Sequence, residues 1–135
     1  MAIGELGREN LLRALTGFAQ ALAIDGSSYP DFVRDVIDNG RIQKFECCVE
    51  LFWKHLRGCL IAEGLDVPTS PRAAFKAGLE RGFIAEAEYQ SVMELISDRN
   101  TCSHIYRQAL IPAILARLPA HCAVMQSIAD RLPAT

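Results

Sequence analysis

Between residues 39 and 63 the apolar residues Ile42, Phe45, Val49, Phe52, Leu56 and Cys59 follow one another at alternating spacings of three and four. An α-helix turns once in about 3.6 residues, so such a series lies along one helix face. Strand side chains alternate with period two, which this stretch does not do. The pattern predicts a long helix over about 39–63 whose seam packs against partner helices. Gly64 stands where a left-handed residue closes a helix.

The rest of the chain supplies the partners. Leu11, Leu15, Phe18 and Leu22 are spaced four, three and four apart and predict a first helix over about 4–24. Asp25-Gly26-Ser27-Ser28 and Tyr29-Pro30 end it. Residues 31–37 read as a short irregular turn of helix. Ser70-Pro71 reads as an N-cap followed by proline at the first helical position, opening a third helix over about 71–81 with Gly82 as its stop. A fourth covers about 86–98, with Val92, Met93 and Ile96 inward. A fifth begins near His104 and reaches about Leu132, kinked or divided by Pro112 and Pro119. The chain has 135 residues, about one domain's worth. Helices of this length with short connections imply an all-α, antiparallel up-and-down bundle of four to five helices, a single domain over 1–135.

Charge and cysteine usage exclude several classes. Lys and Arg number 14 against 16 Asp and Glu, a net charge of −2. Such a chain has no bulk basic field for coating nucleic acid or an anionic membrane, although a local basic pocket is allowed. No apolar run approaches the roughly 18 residues of a membrane span, and no signal peptide opens the chain. The five cysteines, Cys47, Cys48, Cys59, Cys102 and Cys122, form no CxxC pair. They read as reduced thiols of a cytoplasmic protein, with no metal site.

Chemistry concentrates in Asp98-Arg99-Asn100-Thr101-Cys102-Ser103-His104-Ile105-Tyr106. Arg99 ends one predicted helix and His104 opens the next, so a tight turn brings guanidinium and imidazole to one end of the bundle. Arginine binds phosphate through two parallel hydrogen bonds and stays charged. Histidine moves a proton near neutral pH. Asn100 is placed to orient either group, and Tyr106 to offer a hydroxyl at the same rim. The set fits phosphoester chemistry without a metal or cofactor. The blander alternative is a surface Asp98–Arg99 ion pair, Ser103 as N-cap of the last helix, and His104 as a satisfied polar residue. On the long helix Glu50 and Lys54 are four apart, in the favourable order for an ion pair. Glu50, Trp53 and Lys54 are either a solvated face beside a packed tryptophan or, with Ser103, the wall of a partner or substrate groove. His55 and His121 lack ligand-spaced partners and read as structural. Cys102, inside the turn, is a candidate oxidation-sensitive thiol. The chain is not expected to be a catalytic nucleotidyltransferase: Gly26-Ser27 is followed by no Asp-x-Asp pair, and no strands surround it.

Arg99, His104 and Tyr106, spaced as arginine, four residues, histidine, one residue, tyrosine, resemble the signature of the HEPN superfamily. Ile42-Gln43-Lys44-Phe45-Glu46 and Glu50-Leu51-Phe52-Trp53-Lys54 are similar to its long second helix. Ser70-Pro71-Arg72 with Phe75 and Gly82 is similar to its third. Over about residues 38–118 the chain resembles the nucleotidyltransferase substrate-binding subunits and HepT-like toxins of two-gene HEPN–MNT (minimal nucleotidyltransferase) toxin–antitoxin systems. The resemblance implies a helical homodimer whose partner is an MNT encoded by an adjacent gene. In its RNase-active members the arginine and histidine of two protomers meet across the dimer. On that pattern His104 deprotonates the ribose 2′-OH of RNA or protonates the leaving oxygen, Arg99 stabilises charge on phosphorus, and Asn100 holds the histidine or the phosphate. No divalent ion is needed. The resemblance also implies a second role for Tyr106, as the residue that the partner silences by AMPylation. Arg107-Gln108 departs from the pattern, since relatives often carry an acidic residue there. Two functions follow: a toxin acting as a metal-independent endoribonuclease, or a non-catalytic substrate-binding subunit that docks an MNT.

Overall fold

A computed structural model of the chain describes residues 3–104 and 109–134. The described residues form five α-helices and no strand: α1 (Ile3–Leu22), α2 (Asp31–Ala62), α3 (Pro71–Arg81), α4 (Glu86–Cys102) and α5 (Ile111–Arg131). The all-α bundle expected from the sequence is the architecture found. α2 is its axis and packs against each of the other four helices, while α5 closes on α1 and α4. The reason is the seam: Phe45, Val49, Phe52, Leu56 and Cys59 are fully buried, with Ile42 partly buried at its start. Leu11, Leu15 and Phe18 of α1 and Val92, Leu95 and Ile96 of α4 fill the facing positions.

Three boundaries differ from the sequence expectation. Residues 31–37 are not an irregular turn but the first two turns of α2, which runs unbroken for 32 residues. Pro30 sets the entry angle and Asp31 sits in the first turn, where a carboxylate suits the helix dipole. Side-chain pairs Asp31–Arg34 and Asp38–Arg41 brace the exposed turns. Arg41 also donates to the carbonyls of Ala21 (2.9 Å) and Ile24 (2.7 Å), tying the end of α1 to α2. Phe32 and Val36 of this extension point outward, 74% and 67% exposed, so no core-facing period marks it. Second, α4 continues four residues past Asp98 to Cys102, and Ser103 is its C-cap, not the N-cap of a following helix. Third, α5 starts at Ile111, not near His104. Pro112 lies in its first turn, where the missing N–H costs nothing, and only Pro119 interrupts the interior.

The expected caps of α3 are present. Ser70 Oγ accepts from Ala73 N at 3.2 Å, and Gly82 ends the helix at φ +88°. Gly64, at φ +86°, follows α2 as expected. The two ends of the chain are fastened to the same region. Arg8 donates to the Leu132 carbonyl at 3.3 Å. His55 Nε2 donates to the Pro133 carbonyl at 3.0 Å, and the Cys59 thiol reaches the same oxygen at 3.5 Å. Among the described helices α5 alone is long and apolar enough to cross a membrane. Its Ile114, Leu118, Met125 and Ile128 are buried in the bundle core.

Candidate functional site

Successive residues of a helix point about 100° apart, so neighbours on α4 face different partners. Asp98 turns toward α5. Arg117 grips it as a fork, Nε to Oδ2 and an amino group to Oδ1, both at 2.8 Å. His121 Nε2 donates to Oδ2 at 2.6 Å, and its ring stacks on Phe45 with centroids 5.4 Å apart. Burial pushes the Asp98 carboxyl up, but the hydrogen bonds and charges of Arg117 and His121 together outweigh it and hold it below the ordinary carboxylate range. The surface Asp98–Arg99 pair considered from sequence does not form. Arg117 and His121 are residues that sequence reasoning missed in this role. Their spacing of four on one helix was the available signal.

Arg99 turns the other way, toward α2. Its NH2 group donates to Glu50 Oε2 at 2.9 Å. The same oxygen accepts from Trp53 Nε1 at 3.1 Å, and Lys54 Nζ pairs with Glu50 Oε1 at 3.1 Å. Lys54 also sits 5.9 Å from the Trp53 ring centroid, a cation–π contact. Burial pushes the Glu50 carboxyl up, but the hydrogen bonds of Trp53 and Lys54 and the charges of Lys54 and Arg99 outweigh it, so Glu50 is an ionised acceptor. The other guanidinium amino group approaches Asn100 Oδ1 at 3.4 Å. Arg99 Nε is buried and has no acceptor among the described residues. Glu50, Trp53, Lys54, Arg99 and Asn100 are thus brought together.

Ser103 Oγ donates to the Arg99 carbonyl at 3.3 Å, closing the last turn of α4 instead of facing Glu50. His104 follows it, with its backbone N–H on the Thr101 carbonyl. It lines a cavity of about 590 Å³ with Asp35, Asp38, Asn39, Ile42, Cys102, Ile111, Pro112 and Leu115. Of these, Asp38, Asn39 and Ile42 precede Glu50 on α2 by eight to twelve residues, ~12–18 Å of helix. Within one chain, therefore, the two motif residues share the end of α4 but address separate stretches of α2. Tyr106 lies outside the described residues. Cys102 is half-buried and its thiol is pushed up to about 11, chiefly by burial, so little of it is the reactive thiolate at neutral pH.

The arrangement offers a guanidinium whose counter-ion is a half-exposed carboxylate, and an imidazole beside an open cavity. The family model described as "nucleotidyltransferase substrate binding protein like" matches residues 8–134 of this chain. No curated protein matches. Among solved structures, one similar chain is a Thermus thermophilus protein, 28% identical, with a TM-score of 0.77 over 90% of this chain and 97% of that one. A second is the tri-AMPylated HEPN toxin of Shewanella oneidensis in complex with its MNT antitoxin, 17% identical, TM-score 0.76, over 97% of both chains. A third is a toxin–antitoxin structure with AMP-PNP, 15% identical, TM-score 0.74, also over 97% of both. The bundle described above is the fold these three proteins share, the HEPN toxin among them.

Proposed function

Because the chain belongs to the nucleotidyltransferase substrate binding protein-like family, we propose that it is the HEPN component of a two-gene toxin–antitoxin pair, partnered by a minimal nucleotidyltransferase. In this reading it is the toxin, a cytoplasmic homodimer that cuts RNA without a metal ion. The ribose 2′-OH attacks the adjacent phosphorus and the 5′ oxygen leaves. His104 moves the proton at one of these two oxygens, and Arg99 stabilises the charge that builds on phosphorus. Asn100, in contact with the guanidinium, positions Arg99. The observation that carries the reading is the pairing of a half-buried arginine, 29% exposed, with a histidine on an open cavity beyond the same helix end. Their separate stations on α2 favour the arrangement in which the arginine of one protomer meets the histidine of its partner.

Tyr106 is the proposed AMPylation site, supported by the motif position and by the AMPylated state of the Shewanella relative. The second reading, a non-catalytic subunit that docks the nucleotidyltransferase, is favoured by one observation: Arg99 is already occupied by Glu50.

RNA cleavage in EDTA by the purified wild type, Arg99→Ala and His104→Ala separates the two. The toxin reading expects cleavage by the wild type and a loss of about 100-fold or more in each variant. Equal cleavage, or none, in all three chains moves the conclusion to the docking subunit. Intact mass on the same wild-type sample shows whether AMP has already silenced it.

A further inference from the structure

Glu50 is the common acceptor of three donors from two helices. Arg99 NH2 and Trp53 Nε1 share its Oε2, and Lys54 Nζ takes Oε1. Two of the donors are cations, so the cluster carries one excess positive charge with Glu50 in place and two without it. The carboxylate engages the guanidinium through one nitrogen only, although arginine forks bind carboxylate and phosphate best through two parallel bonds. The unused donor beside it, Arg99 Nε, is buried without an acceptor among the described residues. Buried N–H groups are almost always paired, and an orphan at a polar site calls for a missing oxygen. A carboxylate stretched between Lys54 and Arg99 cannot supply that oxygen to Nε. A phosphate, with more oxygens on a tetrahedral frame, can span Nε and NH2 together.

We propose that Glu50 is a displaceable internal anion: it occupies the Arg99 site in the resting chain, and a phosphate of the substrate binds by expelling it. This rests on the reading of Arg99 as the phosphate-binding residue. The cost of expulsion is small, because the Glu50 side chain is 35% exposed and regains water as it leaves. Trp53 and Lys54 then face the incoming phosphate with donors already placed by α2. Glu50 thereby sets a threshold: a lone phosphate opens the site only at high concentration, and a polyanion that offers several phosphates opens it at low concentration.

The test uses the full chain carrying His104→Ala, which leaves RNA intact, and a fluorophore-labelled single-stranded RNA as probe. Glu50→Gln keeps the shape and an acceptor for Trp53 but removes the charge. It is expected to tighten RNA binding by about three- to tenfold, in line with loss of a half-exposed ionic competitor. The gain should vanish when Arg99→Ala is added. Trp53 is the chain's one tryptophan, so its emission reports on Glu50 directly and without any variant. Inorganic phosphate should shift that emission in the wild type, at lower concentration in Glu50→Gln, and not in Arg99→Ala. Unchanged or weaker binding of both RNA and phosphate in Glu50→Gln overturns the proposal and makes Glu50 a positioning residue, as does a Trp53 emission blind to phosphate. The two readings fail separately. Tightened phosphate binding with no RNA binding or cleavage keeps the displaceable anion and removes the ribonuclease. Cleavage that depends on Arg99 and His104, without tightening, does the reverse.

Discussion

Asp98 and Arg99 are adjacent on α4, yet each is the centre of a different ion cluster. The Asp98 side chain is 11% exposed and is held by a two-bond arginine fork and a buried imidazole, all from α5. Arg99 is 29% exposed and is held through one bond to a carboxylate that also serves Trp53 and Lys54. At the centre of the first cluster the Asp98 carboxylate and the His121 imidazole are both buried, with Arg117 covering them from the solvent side, which makes the cluster costly to break. The second is undersatisfied and reachable by water, which makes it exchangeable. A single step along α4 thus separates the ionic group that fixes the bundle from the one that is free to change partners. The rigid Asp98 cluster anchors the backbone from which Arg99 projects.

If that division is right, Asp98→Ala should cost the most. It leaves Arg117 and His121 without their shared anion, and a loss of about 3 kcal/mol in urea unfolding is expected. A loss below about 1 kcal/mol would erase the contrast. Acid should act through the same group. The Asp98 carboxyl is held below its ordinary value of 3.8, so it adds stability above that value and loses it as pH falls through the lower, folded one. Unfolding midpoints followed downward from about pH 4 should fall more steeply for the wild type than for Asp98→Asn. Equal slopes would mean that the Asp98 ion pairs do not set acid stability. The smallest effect belongs to Glu50→Gln, about 0–1 kcal/mol in the same urea assay. A loss approaching that of Asp98→Ala would show that both clusters hold the fold.

What could be read from the sequence was local. The seam from Phe45 to Cys59, the Ser70-Pro71 start and the glycine stops at Gly64 and Gly82 each follow from periodicity or backbone chemistry within a few residues, and each is found. The Glu50–Lys54 pair was legible for the same reason. The first turns of α2 were not, because Phe32 and Val36 face outward and leave no inward period to read. The start of α5 was misplaced by treating Pro112 as a kink, although proline in a first helical turn marks a beginning. The site itself was half legible. Arg99, His104 and Glu50 stood out by type and spacing. That Arg99 meets Glu50 across 49 positions of sequence, and Asp98 meets His121 across 23, depends on how three helices rotate against one another. No single helix encodes that rotation.

The fastening of Leu132 and Pro133 to Arg8, His55 and Cys59 makes the molecule topologically almost a ring. His55 and Cys59 follow Glu50 on α2, so this fastened end of the bundle lies away from the stretch that carries Asp38 and Ile42. Tags and surface tethers could then be attached there, leaving the His104 cavity unencumbered for binding measurements.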